Sequence, residues 1–171
     1  MQNLALPRLP PHELLQPAVA AGRGESVPEE TTRAVSAQAA EVEALDPAHV
    51  YEVLTEALCD RQPDAALQWL HDAGLLDLLL PELEATVDFS QEAGRRHKDV
   101  WDHTKTVVWQ SVPRPEVRWA AVLHDIGKVP TRRFLSDGRV TFHGHAEVGV
   151  RMFRRGPCLL YTSDAADENP S

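Results

Sequence analysis

Apolar residues recur at helical spacing along most of the chain. In "DPAHVYEVLTEALCD" the residues Val50, Val53, Leu54, Ala57 and Leu58 form one stripe, as in a helix that buries a single face. Asp46 stands at the cap position and Pro47 at the first helical position, where its missing N–H costs nothing. "QPDAALQWLHDAG" repeats that grammar and closes on Gly74, a residue suited to the left-handed backbone after a helix. Upstream, "PEETTRAVSAQAAEVEAL" has acids first and helix formers after, which predicts a helix with Pro28 near its first turn. Residues 1–27 are rich in Pro, Ala and Gly with weak periodicity and read as a loose arm. A short apolar segment, Leu75 to Leu80, ends at Pro81.

Two further helices follow. In "KDVWDHTKTVVWQSV" Val100, His103 and Val107 share a face beside Trp101, Thr104 and Val108, so His103 is expected on the inner side. In "RPEVRWAAVLHDIGK" Val117, Ala120, Ala121, His124 and Lys128 are in register, and the alanines are small enough for another helix to approach. From Trp119 to Ile126 this segment is apolar on nearly every side, which predicts a fully buried helix with His124 and Asp125 in it. "TRRFLSDGRVTF" alternates around Asp137-Gly138 and predicts a small hairpin. "HAEVGVRMFRRG" begins a last helix. The expectation is an all-α bundle with one small β-hairpin and no internal repeat.

Composition narrows the class. Of 171 residues, 43% are hydrophobic and 25% charged, ordinary for one globular domain with a tail. No apolar run is long enough to span a bilayer, and the start lacks the basic and apolar regions of a signal peptide. Cys59 and Cys158 form no disulfide framework or metal spacing, so a cytoplasmic location is expected. The net charge of −9 is uneven: residues 95–157 hold thirteen Lys and Arg against six Asp and Glu, and five of the eight histidines lie between His97 and His145. A cationic region within an acidic protein favours an anionic ligand such as phosphate, although Arg154 and Arg155 are equally well solvated surface charge.

A buried carboxylate must be neutralised, paired or given a metal, and Asp125 adjoins His124. Two antiparallel helices joined by the short turn "SVPRPE" can bring His103 to the same point. Two imidazoles and a carboxylate can hold a divalent transition metal with positions left open for water or substrate. Other chemistries fail: "GK" at Gly127-Lys128 lacks the upstream glycine of a P-loop, and no G-x-S-x-G, H-E-x-x-H or C-x-x-C occurs.

The order His103 … His124-Asp125, with "HDIGK" intact, resembles the HD-domain superfamily of metal-dependent phosphohydrolases, whose pattern is H…HD…D in a helical bundle. "GLLDLLLPELEA", "HKDVWDHT", "AAVLHDIGKVPTR" and "DGRVTFHGHAEVG" together look like the HD region of bacterial CCA-adding tRNA nucleotidyltransferases and poly(A) polymerases. "VPEETTRAV…DPAHVYEVLTEAL" is loosely similar to the helical neck before that region. The resemblance implies a neck-like segment over residues 28–80 and an HD domain, incomplete at its C-terminus, over residues 81–157.

It also implies His103, His124 and Asp125 as metal ligands, with His145 matching a histidine used around a second metal. Lys128 and Asp125 would take part in catalysis. Lys128, Arg132, Arg133 and His97 would contact substrate phosphate, whereas His143 reads as a bystander. The metal is divalent, and the pattern does not distinguish Mn, Mg, Fe, Ni, Co and Zn.

The family's final aspartate has no counterpart in this chain, and neither does the nucleotidyltransferase head, since no "GG-x-VRD" motif occurs. The end, "CLLYTSDAADENPS", resembles a translated sequencing adapter, so residues 158–171 are excluded from the reading. The expected function is metal-dependent hydrolysis of a phosphomonoester or phosphodiester, with a phosphorylated small molecule, a nucleotide or an RNA end as substrate. The alternatives are a tRNA-binding HD region, engaging the tRNA 3′ end, without its catalytic head, and a non-catalytic nucleotide-sensing module. An ordinary buried His–Asp pair is the bland reading.

Overall fold

A computed structural model of the protein describes residues 6–89 and 99–155. Its helices are α1 (Gln16–Gly22), α2 (Glu29–Ser36), α3 (Pro47–Cys59), α4 (Pro63–Asp72), α5 (Leu76–Leu79), α6 (Pro81–Glu84), α7 (Val100–Gln110), α8 (Pro115–Leu123), α9 (Lys128–Thr131) and α10 (His145–Arg155). Between α9 and α10 a two-stranded hairpin pairs β1 (Arg133–Phe134) with β2 (Val140–Thr141), antiparallel, with Arg133 opposite Thr141 and Phe134 opposite Val140. The all-α architecture with one hairpin is as the periodicity predicts.

The α3 stripe forms as expected, with all five apolar residues buried. The Ala48 N–H donates to Asp46 Oδ1 at 3.0 Å, satisfying one of the free donors at the helix start. Gly74 follows α4 with φ of 72°, the left-handed conformation that glycine adopts without a Cβ penalty. Tyr51 of α3 stacks on Trp119 of α8, and the Trp119 indole donates to Thr55 Oγ1 at 2.9 Å. That contact joins the first half of the chain to the helix leading to His124.

Three expectations change. Residues 1–27 are not a loose arm throughout, because α1 packs between α3 and α4 and Leu14, Leu15, Ala18 and Val19 are at most 1% exposed. A helix this short and rich in small residues, buried on most sides, has no polar face to produce a periodic signal. The segment after Pro28 is two elements, α2 and a 3-10 turn at Ala39–Ala44. The break falls at Gln38, whose buried amide accepts from the Leu9 N–H and donates to the Leu9 carbonyl, each at 2.9 Å. A tertiary contact that satisfies both halves of a buried amide outweighs the small cost of leaving the helix.

The third change bears on the site. The helix expected to carry His124 and Asp125 ends at Leu123, and the pair lies in the turn that follows. Nor is α8 buried all round: Ala120 is exposed and, with Leu123, Val150 and Phe153, lines an apolar groove of about 470 Å³ beside His124. Arg118 is buried and donates through Nη1 to the Val108 carbonyl. It ties α8 to the C-terminal end of α7.

Candidate metal centre

The site is assembled where α7, the turn after α8 and the start of α10 meet. Asp99 caps α7, its Oδ1 accepting from the Trp101 N–H at 2.8 Å, and α7 carries His103 one turn later. The turn Leu123–Lys128 carries His124 and Asp125. It is held against α10 by an unusually close backbone approach: a Cβ on Gly127 would lie 2.0 Å from the His145 carbonyl oxygen and 2.7 Å from the Gly149 nitrogen. No other residue fits there without moving α10, because nonbonded carbon and oxygen sit well over 3 Å apart.

Asp125 is the centre. Its side chain is 3% exposed, and three imidazoles surround it: His124 Nε2 is 3.1 Å from Oδ2, His103 Nε2 is 3.8 Å from Oδ2, and His145 Nε2 is 3.8 Å from Oδ1. The ring orientations are set by backbone. His124 Nδ1 lies 2.7 Å from the Ala121 carbonyl and His145 Nδ1 lies 3.0 Å from the Phe142 carbonyl. A carbonyl only accepts, so both Nδ1 atoms carry a proton. His124 Nε2, 3.1 Å from the carboxylate, donates to Asp125 when that ring is protonated and turns its lone pair to a metal when it is neutral. A backbone carbonyl accepting from the far ring nitrogen is the contact that orients ligating histidines.

Lys128 completes the cluster, its ammonium 2.7 Å from Asp125 Oδ2. Burial pushes the Asp125 carboxyl up, but hydrogen bonds from His124 and Lys128 and their positive charge outweigh it and hold the group at about 2. The hydrogen bond to Asp125 raises His124 above its ordinary value, against the opposing effect of burial. The carboxylate is therefore ionised at neutral pH. His103 and His124 pack edge to face, with ring centroids 5.4 Å apart.

The donor set fits a divalent metal. One ligand atom from each of His103, His124 and Asp125 lies within 4.8 Å of the others, and imidazole with carboxylate suits several first-row ions. Two ligands of one ion at about 2.1 Å lie roughly 3 to 3.5 Å apart. The 3.1 Å separation is in that range, and the 3.8 Å separations need a shift of a few tenths of an ångström.

The expected residues fall out differently. His103, His124, Asp125, Lys128 and His145 converge. His103 sits on the flank of α7 rather than its inner face, with 47% of its side chain exposed, which suits a ligand open to solvent on one side. The Arg132 guanidinium lies over the Phe89 ring at 4.2 Å, and Arg133 is exposed on β1 with Nη1 donating to the Arg132 carbonyl at 3.2 Å. His143 is exposed in the turn before α10. His97 and the segment 158–171 lie outside the described residues. Sequence reasoning missed the carbonyls of Ala121 and Phe142, since backbone groups leave no signature in residue type. It also missed Phe89 and Phe142, whose rings pack at 6.3 Å.

Residues 85–162 match the family model of the HD domain. The chain carries an HD domain. A CC-adding tRNA nucleotidyltransferase from Thermus thermophilus is 39% identical over 149 residues, covering 80% of this chain and 34% of that protein. An A-adding tRNA nucleotidyltransferase from Deinococcus radiodurans is 42% identical over 102 residues, 54% of this chain and 23% of that protein. A multifunctional CCA protein from Pseudomonas aeruginosa is 35% identical over 114 residues, 63% of this chain and 28% of that protein. The chain thus spans about a third or less of the length of these curated relatives. No solved structure shows a significant match. Among the described residues no helix is long and apolar enough to cross a membrane.

Proposed function

We propose that this chain is the HD region of a tRNA-processing protein of the tRNA nucleotidyltransferase kind, engaging tRNA in the cytoplasm while nucleotide addition is carried out elsewhere. The observation that carries the reading is the 39% identity to the CC-adding enzyme over 149 residues, from the neck-like segment into the HD domain. The local excess of Lys and Arg between residues 95 and 157 supports it, because phosphate contacts supply most of the affinity for nucleic acid. The test is binding of a labelled tRNA transcript to the purified chain across a salt series. Affinity no greater than for a duplex DNA of equal charge sinks the reading.

A second reading rests on a separate observation, the convergence of three histidines and Lys128 on one carboxylate. In it the HD domain also hydrolyses a phosphoester, with His103, His124 and Asp125 holding a divalent metal and His145 facing the second carboxylate oxygen. A divalent ion so bound would supply a water of near-neutral pKa and a positive charge for phosphoryl oxygens. The chain's own contribution is orientation and charge. The Ala121 and Phe142 carbonyls keep the ring protons on Nδ1, and Lys128 adds a cation beside the carboxylate for developing negative charge. Phosphate release from phosphomonoesters and nucleoside cyclic phosphates, assayed after chelation and metal reloading, tests it. No turnover with any divalent ion, despite metal bound, argues for the sensing alternative.

A further inference from the structure

Beside the metal centre, cations and aromatic rings lie against one another in one unbroken series. The Lys128 ammonium, bound to Asp125, lies 5.8 Å from the centroid of the Phe142 ring. The Phe142 and Phe89 rings pack at 6.3 Å. The Arg132 guanidinium lies 4.2 Å from the Phe89 centroid and 5.2 Å from that of Phe134. Phe134 ends the series on the hairpin with 67% of its surface exposed. Residues 128–139 carry four basic side chains, Lys128, Arg132, Arg133 and Arg139, against the single acid Asp137.

A ring this exposed, on a two-residue strand, leaves most of its apolar surface to water. Arg132 precedes β1, and its contact with the Phe134 ring puts the two on one side of the hairpin, while alternation within β1 puts Arg133 on the other. Among the described residues Arg132 has no ion pair. Its guanidinium face lies on rings, which leaves the planar N–H fork for a phosphate. Arg139, by contrast, is held by Asp137 at 2.7 Å. A flat apolar surface flanked by a guanidinium fork matches the two parts of a nucleotide in a single strand, its base and its phosphate. A duplex keeps its bases stacked on one another and offers nothing to Phe134.

We propose that the hairpin is a binding site for single-stranded RNA, with a base stacked on Phe134 and the adjoining phosphate on Arg132, the strand running along the Phe89–Phe142 side toward Lys128 and the metal centre. The site rests on the tRNA reading above and specifies the part of tRNA it takes, the unpaired 3′ end rather than the helical stem. Arg133 adds non-specific attraction from the other face of β1.

The experiment uses the whole chain and two probes, a tRNA transcript with its single-stranded 3′ end and the same transcript trimmed to a blunt stem. Binding is read by fluorescence anisotropy for the parent chain, Phe134→Ala and Phe134→Trp. Removing one stacking platform is expected to weaken binding of the untrimmed tRNA about tenfold. The trimmed tRNA should bind the parent chain and Phe134→Ala equally, and Phe134→Trp should restore affinity. Because Phe134 is exposed, melting temperatures of the three proteins should agree, which separates lost contact from lost folding. If untrimmed tRNA binds the parent chain and Phe134→Ala with equal affinity, the hairpin site is wrong and the tRNA reading stands. If neither probe binds the parent chain, the tRNA reading fails and the hairpin site with it. Loss of affinity for both probes alike assigns Phe134 to the stem, or to the fold, and overturns the single-strand assignment.

Discussion

The charge balance around Asp125 can be measured without any metal. In the metal-free chain the carboxylate is held by Lys128 at 2.7 Å and His124 at 3.1 Å, and its folded-state pKa falls from an ordinary 3.8 to about 2. Each pKa unit is worth about 1.4 kcal/mol, so the ionised carboxylate contributes about 2 kcal/mol of stability at neutral pH. Asp125→Asn keeps the shape and removes the charge. It should cost about 2 kcal/mol in urea unfolding in the presence of a chelator, with Lys128 left beside a neutral amide in a nearly buried position. Lys128→Met should also destabilise, but in the Asp125→Asn background it should cost little, giving a coupling on the order of 1 to 3 kcal/mol.

The pH dependence has a definite sign. The Asp125 contribution is complete above about pH 4 and is lost as pH falls through about 2. His124, with its pKa raised above 6.5, works the other way. Its share is complete below that value and is lost as pH rises through the elevated folded-state value. Additive costs for the two single variants, with coupling below about 0.3 kcal/mol, would refute the claim that the pair holds the carboxylate.

Three other outcomes follow from the geometry. His103→Ala should leave metal-free stability within about 0.5 kcal/mol, since the ring is half exposed. It should abolish the rise in melting temperature on adding a divalent ion, a rise worth about 2.7 kcal/mol at a hundredfold excess over Kd; differential scanning fluorimetry reads both. Gly127→Ala forces a carbon to within 2.0 Å of the His145 carbonyl, so α10 must move. Urea unfolding should show a loss of about 1 to 3 kcal/mol together with weakened metal binding. Asp46→Ala removes the cap of α3, a helix that contributes no residue to the site. It should cost about 1 kcal/mol in denaturant with metal affinity unchanged.

Local chemistry was enough to place most helices. The Asp46-Pro47 start, the α3 stripe, Gly74 and the Asp137-Gly138 hairpin were legible because capping, periodicity and turn geometry depend on residues a few positions apart. The candidate metal ligands were legible for a related reason: His103, His124 and Asp125 stand in the order of a known pattern, and an ionisable pair in an apolar segment calls for a partner. Tertiary structure decided the rest. It seated α1 in the core, a burial that small residues do not announce. It broke the chain at Gln38 through a contact with Leu9, twenty-nine positions away. It ended α8 at Leu123, so that His124 and Asp125 leave the helix and face His145 across the Gly127 contact. Above all it determined what stands next to Asp125. A sequence can show that a carboxylate needs a counter-charge, but whether an imidazole, an ammonium or a metal meets it depends on distances set by packing between elements far apart in the chain.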